Sequence, residues 1–232
     1  MIQLRDRNTR GVTRTGWLDS RHSFSFGGYR DPAHMGVRNL RVINQDLVTP
    51  GAGFPTHAHT QMDIVTWVTR GALQHRDSTG AGSTISRGDL QRMSAGPGIE
   101  HSEFNASADA PVEFLQIWLI PDENVARPLY QEARVEGAAL QDRLFLACAR
   151  DGAAPVGLAS STHLYVGRPT AGATLRHDLA AGAAAWLQVV EGIVGLNGWE
   201  LREGDGAAVE DEAALEIAAE TDAEVLLFTF PG

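Results

Sequence analysis

The chain has no lysine and a single cysteine, Cys148. One cysteine excludes an internal disulfide framework and any multi-cysteine metal site, and it fits a reducing cytoplasm. No apolar run approaches the ~20 residues that cross a bilayer. The opening MIQLRDRNTRG also lacks the apolar segment that a signal peptide places after its charges. A cytoplasmic location with no membrane partner is expected. All 19 basic residues are arginine, against 29 acidic ones, for a net charge of −10. Residues 1–120 hold 12 Arg and 11 Asp plus Glu, whereas residues 121–232 hold 7 and 18, so the acidity belongs to the second half. A nucleic-acid partner held by charge needs a basic face, and this balance argues against one.

What is present is β-sequence. The runs Val37 to Asn44, Met62 to Thr69, Thr84 to Ile85 with Leu90 to Ser94, and Val112 to Ile120 are β-branched or aromatic-rich and bounded by turn residues. In Val112 to Ile120 both faces are mostly apolar, as in a strand buried on both sides. A helix is expected only between Pro121 and Ala139, where Pro-Asp-Glu-Asn precedes Leu129, Ala133 and Leu140 at helical spacing.

The punctuation of the first half recurs in the second. Arg70-Gly71 and Arg87-Gly88-Asp89 correspond to Glu191-Gly192 and Glu203-Gly204-Asp205, with offsets of 121 (192 − 71) and 116 (204 − 88). Asn197-Gly198 adds a hairpin signal. Two similar offsets suggest a duplicated β unit, and short strands between glycine turns suggest the double-sheet jelly roll. The expected organisation is a first barrel over 1–120, a joint with a short helix over 121–142, and a second barrel over 143–232.

Two short patterns carry the chemistry: His57-Ala58-His59 and His101-Ser102-Glu103. Residues two apart on a strand leave the same face, so each pair can aim both members at one point. Three imidazoles and a carboxylate converging there suit a divalent transition metal with positions left for water, substrate or dioxygen. At the matching places in the second half stand Asp178, next to His177, and Ile217, so only the first barrel offers a full set. That asymmetry favours a chemical role for the histidines over a structural one.

The same residues resemble the pirin family of two-barrel cupins. The resemblance rests on Trp17 to Phe26 (WLDSRHSFSF), Gly51 to His59 (GAGFPTHAH), His75-Arg76-Asp77-Ser78 and Gly88 to Glu103 (GDLQRMSAGPGIEHSE). It covers residues 1–120 densely and the remainder in outline. It implies an all-β bicupin, two tandem cupin-type jelly-roll barrels. It also implies that His57, His59, His101 and Glu103 bind one metal, with Fe(II) the first expectation and Mn, Co, Ni, Cu or Zn as alternatives.

In activity the resemblance implies a quercetin 2,3-dioxygenase. A flavonol would bind the metal through its 3-oxygen, Glu103 would be the catalytic base for the hydroxyl proton, and dioxygen would open the heterocycle with loss of carbon monoxide. Two further readings stay open: a metal-dependent regulator whose redox state controls a protein partner, and a metal-dependent isomerase or hydrolase on the same fold. Asp63 stands where relatives carry Glu, a change expected to bear on substrate preference. His75, with Arg76-Asp77, is read as a hairpin element with an Arg–Asp contact. No role is assigned to His22, His34, His163 or His177, and Phe24, Phe54 and Trp118 are read as core.

Overall fold

The computed structural model describes residues 1–150 and 152–232. They form two compact units: Gly11–Arg134 with Val156–Ser160, and Met1–Arg10 with Val135–Pro155 and Ser161–Gly232. Ile2–Arg5 (β1) pairs with a strand of the second-half unit, so the amino terminus contributes its strand there. The expected boundaries at 120 and 142 take no account of this exchange, nor of the return of Val156–Gly157 (β14) to the first-half unit.

The first-half unit is built from Gly11–Arg14 (β2), Leu18–His22 (β3), Leu40–Val48 (β4), Gly53–His59 (β5), Asp63–Arg70 (β6), Ala72–Asp77 (β7), Gly82–Ser86 (β8), Asp89–Ser94 (β9), Ile99–Asn105 (β10), Val112–Leu119 (β11) and Leu129–Arg134 (β12). A seven-stranded sheet runs β12-β9-β6-β11-β4-β3-β2, and a four-stranded sheet runs β5-β10-β7-β8. The alternation of β3, β4 and β10 between buried and more exposed residues points one face of each inward. Leu18, Val48, Val68, Val112 and Phe114 of the large sheet meet Leu73 and Ile85 of the small one in an apolar layer. Ile64, Met93 and Ile99 form a second layer.

The other unit repeats the plan with Leu144–Ala149 (β13), His163–Gly167 (β15), Thr174–Asp178 (β16), Ala184–Glu191 (β17), Ile193–Leu196 (β18), Trp199–Arg202 (β19), Gly206–Glu210 (β20), Ala214–Ala219 (β21) and Glu224–Phe230 (β22). One sheet includes the order β1-β20-β17-β22-β15-β13, and the other is β16-β21-β18-β19. Its interior is apolar, with Leu187, Leu215, Ile217 and Leu227 fully buried.

Two local expectations are corrected. The stretch expected as a helix from Pro121 to Ala139 instead supplies β12, which pairs with β9 from Leu129↔Ser94 to Arg134↔Asp89. The helix is one turn, Gly137–Leu140 (α1). Pairing with β9 runs over six residue pairs and satisfies the backbone groups that face β9, which outweighs a weak helical spacing. The strand expected from Val37 begins at Leu40, because Val37 and Leu40 close a turn with Arg38 at φ 51°.

Candidate metal centre and its cavity

β5 and β10 carry the histidines and pair antiparallel, with His101 opposite His57. Beyond that pair the register shifts, so that Glu103 faces Phe54. Pro55 and Thr56 therefore oppose Ser102 alone, a bulge that suits Pro55 because proline has no ladder N–H to lose. Gly53 follows, where a Cβ would collide with the Glu103 carbonyl and with Phe104. The sequence Gly-Phe-Pro-Thr-His thus lets β5 approach β10 closely beside Glu103.

The ligand-type nitrogens of His57, His59 and His101 lie within 4.8 Å of one another. Nε2 of His101 is 3.1 Å from Nε2 of His57. His57 Nδ1 lies 2.8 Å from the Pro55 carbonyl, which places the proton on Nδ1 and leaves the Nε2 lone pair facing the cluster. Burial, and then the neighbouring His57, pull the His59 pKa down to about 4. Burial, with His57, His59 and His75 adding to it, takes His101 down to about 2. Converging imidazoles held neutral offer lone pairs, the form a metal requires.

Glu103 does not share the neighbourhood of His57 and His59. It groups within 4.8 Å with His101 and His75. Its Oε2 accepts from Gln116 Nε2 at 2.7 Å, while Oε1 is buried with no hydrogen-bond partner among the described residues. Burial raises its pKa to about 7, helped by Asp46 and opposed by Gln116, Gln91 and Thr66. An orphaned carboxylate oxygen grouped with His101, which also belongs to the three-imidazole cluster, is what a bound cation would satisfy, so the donor set fits a divalent metal.

His75 is a supporting residue. Its Nε2 is 3.2 Å from Asp77 Oδ2, and its Nδ1 is 3.4 Å from Gln91 Nε2 and 3.5 Å from His101 Nδ1. The expected Arg–Asp contact of this hairpin is replaced by the buried His75–Asp77 pair. Asp63 is likewise structural. It pairs with Arg92 at 2.7 Å and accepts from the Ala159 amide at 2.7 Å. β6 turns Ile64, Thr66 and Val68 inward, so Asp63 points to the opposite face of the sheet. His34 pairs with Asp31, and His163 and His177 flank Tyr165 in the other unit.

A row of polar residues crosses the large sheet beneath the histidines. Gln91, Thr66, Gln116, Asn44 and His22 are successive cross-strand neighbours on β9, β6, β11, β4 and β3. None is more than 7% exposed. The matching row of the other unit is Ala207, Leu187, Leu227 and Tyr165, of which the first three lie in the apolar core. A barrel of this design therefore folds without the polar row. Each buried polar group lacking partners costs ~1–3 kcal/mol, so its presence in one copy marks a working interior. Inward-facing polar residues in otherwise apolar strands, such as Gln116 in Phe-Leu-Gln-Ile-Trp, were the signal available for it.

A cavity of about 310 Å³ opens between this row and β5. His57 and His59 line it from β5, Gln116, Asn44, His22, Ser20 and Asp46 line it from the large sheet, and Phe26, Phe54 and Trp118 supply aromatic walls. The Trp118 ring stands edge-on to His59 at 4.9 Å and to Phe26 at 5.3 Å. Phe54 and Trp118, expected in the core, thus face the cavity. His22, to which no role was assigned, is one of its buried walls.

Two double-sheet barrels, one with a polar interior and a histidine cluster, define a bicupin. Residues 4–119 match the Pirin family and residues 145–230 match the quercetinase C-terminal cupin domain. The chain is 42% identical to quercetin 2,3-dioxygenase of Escherichia coli K12, over 100% of this chain and 99% of that one. The fold matches the crystal structure of E. coli YhhW with a TM-score of 0.94 at 41% identity, covering 100% and 98% of the two chains. It matches the bacterial pirin YhhW in complex with nickel(II) with a TM-score of 0.93 at 41% identity, covering 100% and 99%. The chain belongs to the pirin family. Among the described residues no helix is long and apolar enough to cross a membrane.

Proposed function

We infer that the first barrel holds one divalent transition metal through His57, His59, His101 and Glu103, and that the protein is a dioxygenase of the quercetin 2,3-dioxygenase type. The observation that carries this reading is a cluster of three imidazoles, two of them on the wall of an aromatic-lined cavity, with a buried Glu103 oxygen that lacks a hydrogen-bond partner grouped with the third, His101. The likeness to an E. coli protein named for that activity supports the substrate class. When bound, the metal supplies Lewis acidity and open positions for an oxygen-bearing substrate and dioxygen.

The chain's own residues supply the rest. Phe26, Phe54 and Trp118 offer aromatic walls for flat rings. Gln116 donates to Oε2 of Glu103 and so fixes the orientation of the carboxylate. The Glu103 carboxylate is the base that takes the proton of the flavonol 3-hydroxyl. The Pro55 carbonyl keeps the His57 proton away from the cluster. The products are the ring-opened phenolic ester and carbon monoxide. Protein reconstituted separately with Fe(II), Mn(II), Co(II), Ni(II) and Cu(II) is expected to consume dioxygen with quercetin and release carbon monoxide, and His57→Ala or Glu103→Ala to abolish this. Absence of carbon monoxide with every metal overturns the reading.

A further inference from the structure

Asp46 is a carboxylate that neither the barrel core nor the metal set accounts for. It stands on β4 between Ser20 of β3 and Phe114 of β11, 2% exposed, on the cavity wall. Its Oδ1 has no hydrogen-bond partner among the described residues. Ser20 hydrogen-bonds the Asp46 carboxyl, and other polar groups nearby are occupied with one another. His22 Nδ1 lies 2.8 Å from Asn44 Oδ1, and the Thr13 hydroxyl lies 2.8 Å from His22 Nε2. This pattern places a proton on His22 Nδ1, donating to Asn44, and spends Nε2 on the Thr13 hydroxyl. Asp46 Oδ1 is left as an unspent acceptor in a wall where it is costly to keep. Trp118 stands on the same sheet as Asp46, and Phe54, His57 and His59 line the cavity from β5.

We propose that Asp46 Oδ1 accepts a hydrogen bond from a ring hydroxyl of the bound ligand, other than the one presented to the histidines. The cavity then selects polyhydroxylated planar aromatics over the bare ring system. The flavonol as ligand rests on the function proposed above, whereas the hydroxyl donor rests on the geometry of Asp46. Loss of a hydrogen bond to a buried carboxyl oxygen is felt on the order of tenfold in affinity.

The test uses Zn(II)-loaded full-length protein and calorimetric titration with quercetin and with 3-hydroxyflavone, which carries the 3-hydroxyl alone. Wild type is expected to prefer quercetin. In Asp46→Leu the affinity for quercetin falls on the order of tenfold, and that for 3-hydroxyflavone stays unchanged. Asp46→Asn keeps an acceptor oxygen and retains part of the preference. Ligand-free Asp46→Leu and Asp46→Ala melt at or above the wild-type temperature, because a recognition group contributes little to the fold. Equal weakening of both probes, or an undisturbed preference, overturns the proposal. So does failure of both variants to fold or melting well below wild type, which would assign Asp46 to the framework. If wild type binds neither flavonol, the flavonol reading falls on its own. Asp46 is then tested with 2,3-dihydroxynaphthalene against its monomethyl ether, where the same loss of preference supports it and its absence overturns it.

Discussion

Glu103→Gln in the metal-free protein separates what the carboxylate does for a metal from what it costs the fold. Burial, with Asp46 nearby, raises the Glu103 pKa from 4.5 to about 7. A raised folded pKa means that stability is full below the unfolded value and is lost as pH rises through the folded one. A shift from 4.5 to about 7 corresponds to roughly 3 kcal/mol lost by pH 8 and under about 1 kcal/mol at pH 5. The introduced amide keeps an oxygen for the Gln116 donor but leaves its NH₂ unpartnered where Oε1 was, which returns ~1–2 kcal/mol of the gain. Metal-free Glu103→Gln is therefore expected to be more stable than wild type by about 1–2 kcal/mol at pH 8 and to show no gain at pH 5. Hydrogen exchange of the β10 and β11 amides reads this for the first barrel alone, without assuming that both units unfold together. Divalent-metal affinity in the same variant falls by more than the ten- to hundredfold of an outer-shell loss. A variant less stable than wild type at pH 8, or a gain equal at both pH values, would refute the assignment of Glu103 as a buried carboxylate kept for a cation.

Two further outcomes follow from the same geometry. Gln116→Leu removes the donor to Glu103 Oε2, and Co(II) titration is expected to show roughly a ten- to hundredfold weaker site; unchanged affinity would mean that Gln116 does not orient the carboxylate. His59 and His101 have folded pKa values depressed from 6.5 to about 4 and about 2, so their contribution is full above pH 6.5 and is lost as pH falls toward the folded values. Metal-free His101→Gln should therefore lose less stability than wild type between about pH 6.5 and pH 4.5 in urea denaturation, and an identical loss would contradict the neutral, desolvated His101.

The histidine pairs show how much of the site is local. His57 and His59, like His101 and Glu103, are two residues apart, and strand alternation alone puts each pair on one face. The strand segments around Met62 to Thr69, Leu90 to Ser94 and Val112 to Ile120 are equally local, and the structure has strands at Asp63–Arg70, Asp89–Ser94 and Val112–Leu119. Leu129–Arg134 was not legible because its helical spacing and its strand pairing compete, and the open edge of β9 decides between them. Asp63 was misplaced for a related reason: nearness to His59 in sequence does not say which face of β6 it occupies.

The sequence by itself determined the β class, the internal duplication and the two histidine patterns, because each depends on residues within a few positions of one another or on a repeat of turn glycines. Only the tertiary structure decided what stands opposite those patterns. Gln91, Thr66, Gln116, Asn44 and His22 come from five strands scattered along the first half of the chain, and they form one row because of cross-strand register. Register is set by the whole sheet's burial and pairing rather than by any short segment. The same register brings Gln116 to Glu103 and leaves Asp46 Oδ1 without a donor on the cavity wall.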